Sequence, residues 1–395
     1  MKLITKYNKF LESIQPKDMW DIIPQSVKDL NELFKEHGKK LYLVGGSVRD
    51  FLTGDKPKDF DLATDALPDE VIDIVGKTYR TNLQGKAFGV VVVFTKEVPE
   101  GMEIATFRED VSKGRNPEVK LGVTIEDDVK RRDLTYNSLF YDLDKREIVD
   151  LVGGKSDLEA GITRMVGDPI ERFDEDSLRI LRSFRFSSRY EHPLHKDTEA
   201  AIAKRKQLEN IDLETGEMKR ISQERIWEEV KKAFKQAKDF NFYLNFFTKF
   251  DMWDQVFPGS NINTDLIKSS DFVVVIANLF KNERLNGLET KLVQDYKIES
   301  DTAKKVMFLL NMLSMKVEDV FQMFKKKEQC FITDTTISEW LNVNKISDFR
   351  VETLKFKPSI NSKKLMDQGF IGKSLGIKIN ELEIEKFKEM IKKRV

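Results

Sequence analysis

The chain has 395 residues, long for a single hydrophobic core, so two to four subdomains are expected. Its 67 Lys and Arg balance 67 Asp and Glu, so any attraction for nucleic acid has to come from local segregation of charge. A lone cysteine, Cys330, excludes an internal disulfide and a thiolate metal cluster, and no apolar run reaches membrane length. The three histidines (His37, His192, His195) form no His-Asp pair, which argues against a His/Asp metal phosphohydrolase. With no signal-peptide core in view, a soluble cytoplasmic protein with no membrane partner is the expectation.

In chain order, Asp21–Lys35 has helical apolar spacing, through Ile22, Val27, Leu30, Leu33 and Phe34, and Lys40–Val44 reads as a short strand. Phe88–Thr95 and Met102–Phe107 flank a Pro-Glu-Gly turn and read as an antiparallel hairpin, and Glu147–Val152 as a further strand. The polar stretch Glu109–Lys130, with Gly114, Pro117 and Gly122, reads as a mobile loop. Beyond residue 155 the pattern turns helical, over Asp174–Arg189, Thr198–Leu208, Gln223–Lys238, Phe240–Phe250, Asp301–Leu313, Val317–Lys327 and Leu382–Lys393. The Phe-rich run from Phe240 to Phe247 suits core packing better than base stacking. The fold class is therefore α+β: a small head with a mixed β-sheet and a long helical remainder. Residues 350–395 hold 12 Lys/Arg against 6 Asp/Glu, about +6, which a solvated helical face explains as well as a nucleic-acid contact does.

Three constellations carry chemistry. Asp59 and Asp61, placed on a strand, point their carboxylates to one face as hard oxygen ligands for Mg²⁺, with Phe60 turned to the core. Glu103 offers a third acid on a neighbouring strand, and three carboxylates on one face suit in-line phosphoryl or nucleotidyl transfer. Gly45 and Gly46 stand where a strand turns into a helix, so the backbone can approach a phosphate and Arg49 in the first turn can fork its oxygens. Alone, each has an ordinary explanation: a solvated turn, an exposed strand residue, a mere turn. The cluster Arg131-Arg132-Asp133 with Asn137 reads as a helix start, or as ribose and phosphate contacts from Arg132, Asp133 and Asn137. The run Arg172-Phe-Asp-Glu175-Asp176-Ser-Leu-Arg179-Ile-Leu-Arg182 has a candidate N-cap in Asp174 and an i,i+4 ion pair in Glu175 and Arg179. Read for function, Asp176 and Arg179 share a helix face at i,i+3. A carboxylate only accepts and a guanidinium only donates. That matches the amine and bare ring nitrogen of cytosine or adenine and clashes with guanine and uracil, at about 1–3 kcal/mol for each buried group left unsatisfied.

Together these motifs resemble the class II nucleotidyltransferases, which comprise CCA-adding enzymes and bacterial poly(A) polymerases. The order carries the resemblance: Gly45-Gly-Ser-Val-Arg-Asp50, Asp59-Phe-Asp61, Arg131-Arg-Asp133, Asp150-Leu-Val-Gly-Gly-Lys-Ser-Asp-Leu158, Glu175-Asp-Ser-Leu-Arg179 and Ser222-Gln-Glu-Arg-Ile226. The resemblance implies a head (1–155), a nucleotide-selecting neck (156–238), a body (239–315) and a tRNA-binding tail (316–395). It implies catalysis by Asp59, Asp61 and Glu103, with Asp59 and Asp61 as the Mg²⁺ ligands. Nucleotide contacts would come from Gly45, Gly46, Arg49, Arg132, Asp133, Asn137, Asp176, Arg179 and Arg182, with Glu175 orienting Arg179. The implied activity is addition of CCA to tRNA from CTP and ATP, by a monomer. Poly(A) polymerase, A-adding-only and CC-adding-only enzymes remain as alternatives, as does a catalytically inert RNA-binding relative. Gly85-Lys-Ala-Phe-Gly resembles the CCA-adding or A-adding branch, since the polymerase branch has two basic residues after that glycine. The stretch from Glu109 departs from the family pattern in lacking a Tyr and an Arg-rich run.

Overall fold

A computed structural model describes residues 16–57, 59–111, 118–211 and 215–392, which fall in two compact units divided between Phe246 and Phe247. In the first unit, α1 (Pro16–Ile22) and α2 (Gln25–Glu36) precede a seven-stranded sheet. Its strands are β1 (Leu41–Val44), β2 (Leu62–Thr64), β3 (Arg80–Asn82), β4 (Val90–Phe94), β5 (Met102–Thr106), β8 (Phe140–Asp142) and β9 (Glu147–Val149), in the order β3-β4-β5-β2-β1-β8-β9. The sheet is mixed. β2 runs parallel to β5, with Leu62 opposite Ile104, and antiparallel to β1, with Tyr42 opposite Ala63.

β1 lies near the middle of the sheet because all four of its residues are apolar and buried, as a strand covered on both faces requires. Tyr42, Phe107 and Phe140 form a triangle with centroids 5.7 to 6.2 Å apart, and Val44, Ala63 and Val129 fill its edges. Two registers then place the acids. Val44 N donates to Asp61 O at 3.0 Å, and the pairing of Leu62 with Ile104 brings Asp61 level with Glu103.

Three elements of this unit depart most from the sequence expectation. The helix expected from Asp21 breaks at Pro24, which starts α2 anew. The stretch Glu109–Lys130 is not a plain loop: it includes an antiparallel pair, β6 (Arg108–Asp110) and β7 (Val119–Leu121), then α5 (Ile125–Lys130) capped by Thr124. Gly114 and Pro117 lie outside the described residues. The helix expected over Asp174–Arg189 is two, α7 (Pro169–Glu175) and α8 (Leu178–Tyr190), and the N-cap is Asp168, not Asp174. Asp174 instead accepts from Arg205 Nε at 3.0 Å.

α6 (Gly154–Ala160) begins on a turn tied by Asp150, whose carboxylate accepts from the backbone amides of Val152, Gly154 and Lys155. A Cβ at Gly154 would fall 2.2 Å from Thr135 O, so only glycine fits there. Gly154→Ala is expected to cost about 1–3 kcal/mol, as overpacking does, and to lower Tm by several degrees. Thermal denaturation with no shift would contradict this.

The second unit is helical, its longer helices being Phe272–Leu279, Ser300–Leu313, Val320–Cys330, Asp334–Val343 and Gly372–Lys392. The last starts ten residues before the expected Leu382. Phe257, Phe280 and Tyr296 cluster in its core, where Tyr296 Oη donates to Pro258 O at 2.7 Å. Among the described residues no helix is long and apolar enough to cross a membrane.

Candidate active site

One cleft of about 940 Å³ in the first unit gathers most of the residues singled out in the sequence. One stretch of its lining begins where β1 enters α3 (Gly46–Leu52) through Gly45, at φ +70°, a conformation L side chains rarely adopt. Arg49 is buried, and each of its three guanidinium nitrogens donates. Its Nε and Nη2 donate to Asp50 Oδ1 at 2.9 and 2.6 Å, its Nη1 donates to Asn137 Oδ1, and its guanidinium lies 5.0 Å from the Phe186 ring centroid. Asp50 Oδ1 also accepts from Arg189 Nη2 at 3.0 Å and Tyr190 Oη at 3.2 Å, so this carboxylate fastens α3 to α8.

Asp59 and Asp61 lead into β2 rather than lying within it, and both line the cleft with exposed side chains. Phe60 is half-buried, not a core residue. The Asp61 pKa is raised to about 6, first by the cleft walls that strip water from its flanks, then by Glu103 and Asp59, with Arg132 offsetting part. Glu103 is exposed on β5 and near enough to act on Asp61, but does not itself line the cleft.

Arg132, Asp133 and Asn137 also line the cleft. Arg132 forks Asp128 through Nε and Nη2 at 3.0 and 2.8 Å and lies over Phe140. Burial pushes the Asp133 pKa up, but the Arg182 fork, the Leu134 amide and Asn137 outweigh it and hold Asp133 far below the usual carboxylate range. Arg182 thereby ties α8 to the turn that follows α5.

Asp176 and Arg179 face the same cleft as the aspartates, but not from one helix. Asp176 is the extended residue between α7 and α8. The break exists because Asn210, on β10 (Glu209–Ile211), donates to Asp176 Oδ1 at 3.0 Å and accepts from Ser177 N at 2.8 Å. Arg225 donates to Asp176 Oδ2. Burial raises the Asp176 pKa, and these hydrogen bonds more than reverse it, so the acid stays ionised. Arg179 donates Nη1 to Glu175 and to Arg172 O, and Nη2 to Arg131 O at 2.9 Å. Three contacts leave part of its five-donor fork for a ligand.

The cleft holds twice as many basic as acidic side chains, although the whole chain is neutral. Arg185, Arg189, Arg225, Lys232 and Lys235 were missed in the sequence. Their signal was periodic: Arg179, Arg182, Arg185 and Arg189 recur every three or four residues along α8, and Arg225, Lys232 and Lys235 recur at helical spacing on α10 (Gln223–Gln236). Arg185 is buried against Glu229, donating Nε to Oε2 at 2.7 Å.

His192, packed against the Tyr190 ring, has its pKa lowered to about 4 by burial and by Lys238, and its Nδ1 is buried without a partner. An unfolded histidine titrates near 6.5. The folded pKa is the lower, so its stability contribution is complete above about 6.5 and lost as pH falls towards 4, by at most about 3 kcal/mol before solvent screening. His192→Phe is expected to flatten the fall in Tm between pH 7 and pH 5; equal slopes would contradict it.

The acids fit a divalent cation in part. Among the described residues no group of three or more His, Cys, Asp or Glu is gathered to hold a metal. Asp59 and Asp61 instead form a two-carboxylate pair, with the Asp61 pKa raised by desolvation, then by Glu103 and Asp59, which suits an ion that takes its remaining ligands from water and phosphate.

Carboxylates at the entry to β2 of a mixed sheet, in one basic cleft with an acceptor at Asp176 and a donor at Arg179, mark a nucleotidyltransferase. Residues 41–164 match the model of the poly A polymerase head domain. Poly(A) polymerase I of Haemophilus influenzae is 32% identical over 259 residues, 62% of this chain and 53% of its own length, so the chain spans about half of that relative. The CCA-adding enzyme of Lactobacillus helveticus is 30% identical over 329 residues, 78% of this chain and 77% of its own. The crystal structure of the Bacillus stearothermophilus CCA-adding enzyme in complex with CTP shares the fold, with a TM-score of 0.68 at 22% identity over 94% of this chain and 93% of that one. The chain belongs to the family of CCA-adding enzymes and poly(A) polymerases, whose members generally use a divalent metal.

Proposed function

We propose that this protein adds C, C and A to the 3′ end of tRNA from CTP and ATP, releasing pyrophosphate. The observation that carries the reading is the single cleft lined by Asp59 and Asp61 together with Asp176 and Arg179. The carboxylate accepts from the exocyclic amine of cytosine or adenine, the guanidinium donates to the ring nitrogen, and no template is needed. Gly45, Gly46 and the basic walls take the triphosphate, and Arg132, Asp133 and Asn137 the ribose or phosphate. The terminal 3′-hydroxyl of the RNA then attacks the α-phosphate in line. Mg²⁺ held by Asp59 and Asp61, with Glu103 behind them, would supply charge for the attacking and leaving oxygens. Residues 1–155 serve as the head, 156–238 as the selecting neck, 239–315 as the body and 316–395 as the tRNA-binding tail. Such an enzyme works where tRNA matures, in the cytoplasm.

A poly(A) polymerase shares this chemistry, and the Haemophilus influenzae match keeps it as the second reading. CCA addition is preferred because the relative matched over more of both chains is named a CCA-adding enzyme. Labelled tRNA transcripts lacking one, two or three terminal nucleotides distinguish them: defined completion of CCA supports the first reading, and long A tails the second.

A further inference from the structure

Helix α5 has six residues, yet it supports arginines on two sides. Asp128 is 1% exposed and does not line the cleft. Its Oδ1 accepts from Arg131 Nε and Nη2 at 2.9 and 2.7 Å, and its Oδ2 from Arg132 Nε and Nη2 at 3.0 and 2.8 Å. The backbone amide of Arg108, at the start of β6, donates to Oδ1 at 3.2 Å. One carboxylate thus satisfies two guanidinium forks and a strand amide. The carbonyls at the C-terminal end of α5 are also used: Lys130 O accepts from Arg172 Nη1 at 2.6 Å, and Arg131 O accepts from Arg179 Nη2 at 2.9 Å. Arg131 therefore gives its side chain to Asp128 and its carbonyl to Arg179.

We propose that Asp128 is a positioning residue for nucleotide selection: by clamping Arg131 and Arg132 it fixes the α5 carbonyls that aim the Arg179 guanidinium at the base. This rests on the reading of Arg179 as half of the base-selecting pair. Only a carboxylate offers both forks an accepting oxygen. An asparagine has one, so either Arg131 or Arg132 must let go, and two adjacent cations lose their shared counter-charge. A drift of about an ångström in the Arg131 carbonyl is enough to misdirect Arg179, and misplacement of that size can cost about 100-fold in a positioned reaction.

The test compares wild type, Asp128→Asn, Asp128→Glu and Arg179→Ala. Each is measured for CTP and UTP affinity by calorimetry, and for the ratio of C to U added to a tRNA transcript lacking CCA. Both ratios are independent of the fraction of protein folded, so a purely structural defect leaves them unmoved. Asp128→Asn is expected to lower the C-over-U preference about tenfold, with Asp128→Glu restoring part of it. If Asp128→Asn does not fold, Asp128→Glu carries the test, with an expected preference below wild type. Preference lost in Arg179→Ala but kept in the Asp128 variants overturns the proposal alone. Preference kept in Arg179→Ala as well overturns the base-selecting reading on which it rests. A wild type that adds nothing to tRNA overturns the proposed function, and the binding ratios still decide the role of Asp128.

Discussion

Asp61→Ala is expected to abolish nucleotide addition, lowering the single-turnover rate by 10³-fold or more, about 4 kcal/mol of transition-state stabilisation. Asp59→Ala is expected to match it, because neither carboxylate alone supplies the paired donor face. The cost of keeping the pair shows in the fold. Cleft walls, Glu103 and Asp59 all raise the Asp61 pKa, so the ionised form is held against repulsion when no cation neutralises it. In metal-free buffer above neutral pH, Asp61→Ala should therefore hold or slightly raise Tm while activity disappears. Single-turnover extension of labelled tRNA, beside a melting curve, checks both halves. An Asp61→Ala protein that keeps a tenth of wild-type activity would remove the pair from the chemistry.

Arg179→Ala is expected to erode base choice far more than transfer itself. Arg179 reaches the cleft braced by Glu175 and the carbonyls of Arg172 and Arg131, while Asp176 is braced by Arg225 and Asn210. Removing the donor leaves the ring nitrogen of cytosine or adenine unsatisfied and lifts the clash with uracil and guanine. At about 1–3 kcal/mol per buried group, preference for CTP and ATP over UTP and GTP should fall by about 5- to 150-fold. Competition assays with mixed nucleotides read that ratio. Undiminished C and A preference would move selection elsewhere in the cleft.

Much of the architecture could be read from the chain because local pattern and tertiary packing agree there. The apolar run of β1 marked a short strand, and the Pro-Glu-Gly turn marked the β4–β5 hairpin. The departures come from long-range polar contacts with no local signature. Asn210 is 34 residues from Asp176, yet it fixes the break between α7 and α8, so periodicity alone joined them. Arg225 and Asp50 escaped for the same reason, each acting through partners placed by the fold; Asp128 has its arginines at i+3 and i+4, a spacing that reads as an ordinary helix ion pair. The basic stripe on α8 had a visible period, but Glu175 with Arg179 read as an ordinary i,i+4 ion pair. Pro24 was a local signal passed over, since the apolar spacing continues on both sides of it.

The most direct test of template-free selection at this cleft is nucleotide addition to tRNA transcripts lacking all three terminal residues, with CTP alone, ATP alone, UTP alone, and CTP with ATP. Addition is expected to stop after two residues with CTP, to reach three with both nucleotides, and not to occur with UTP. Indiscriminate incorporation of UTP, or an A tail of undefined length with ATP alone, would contradict it.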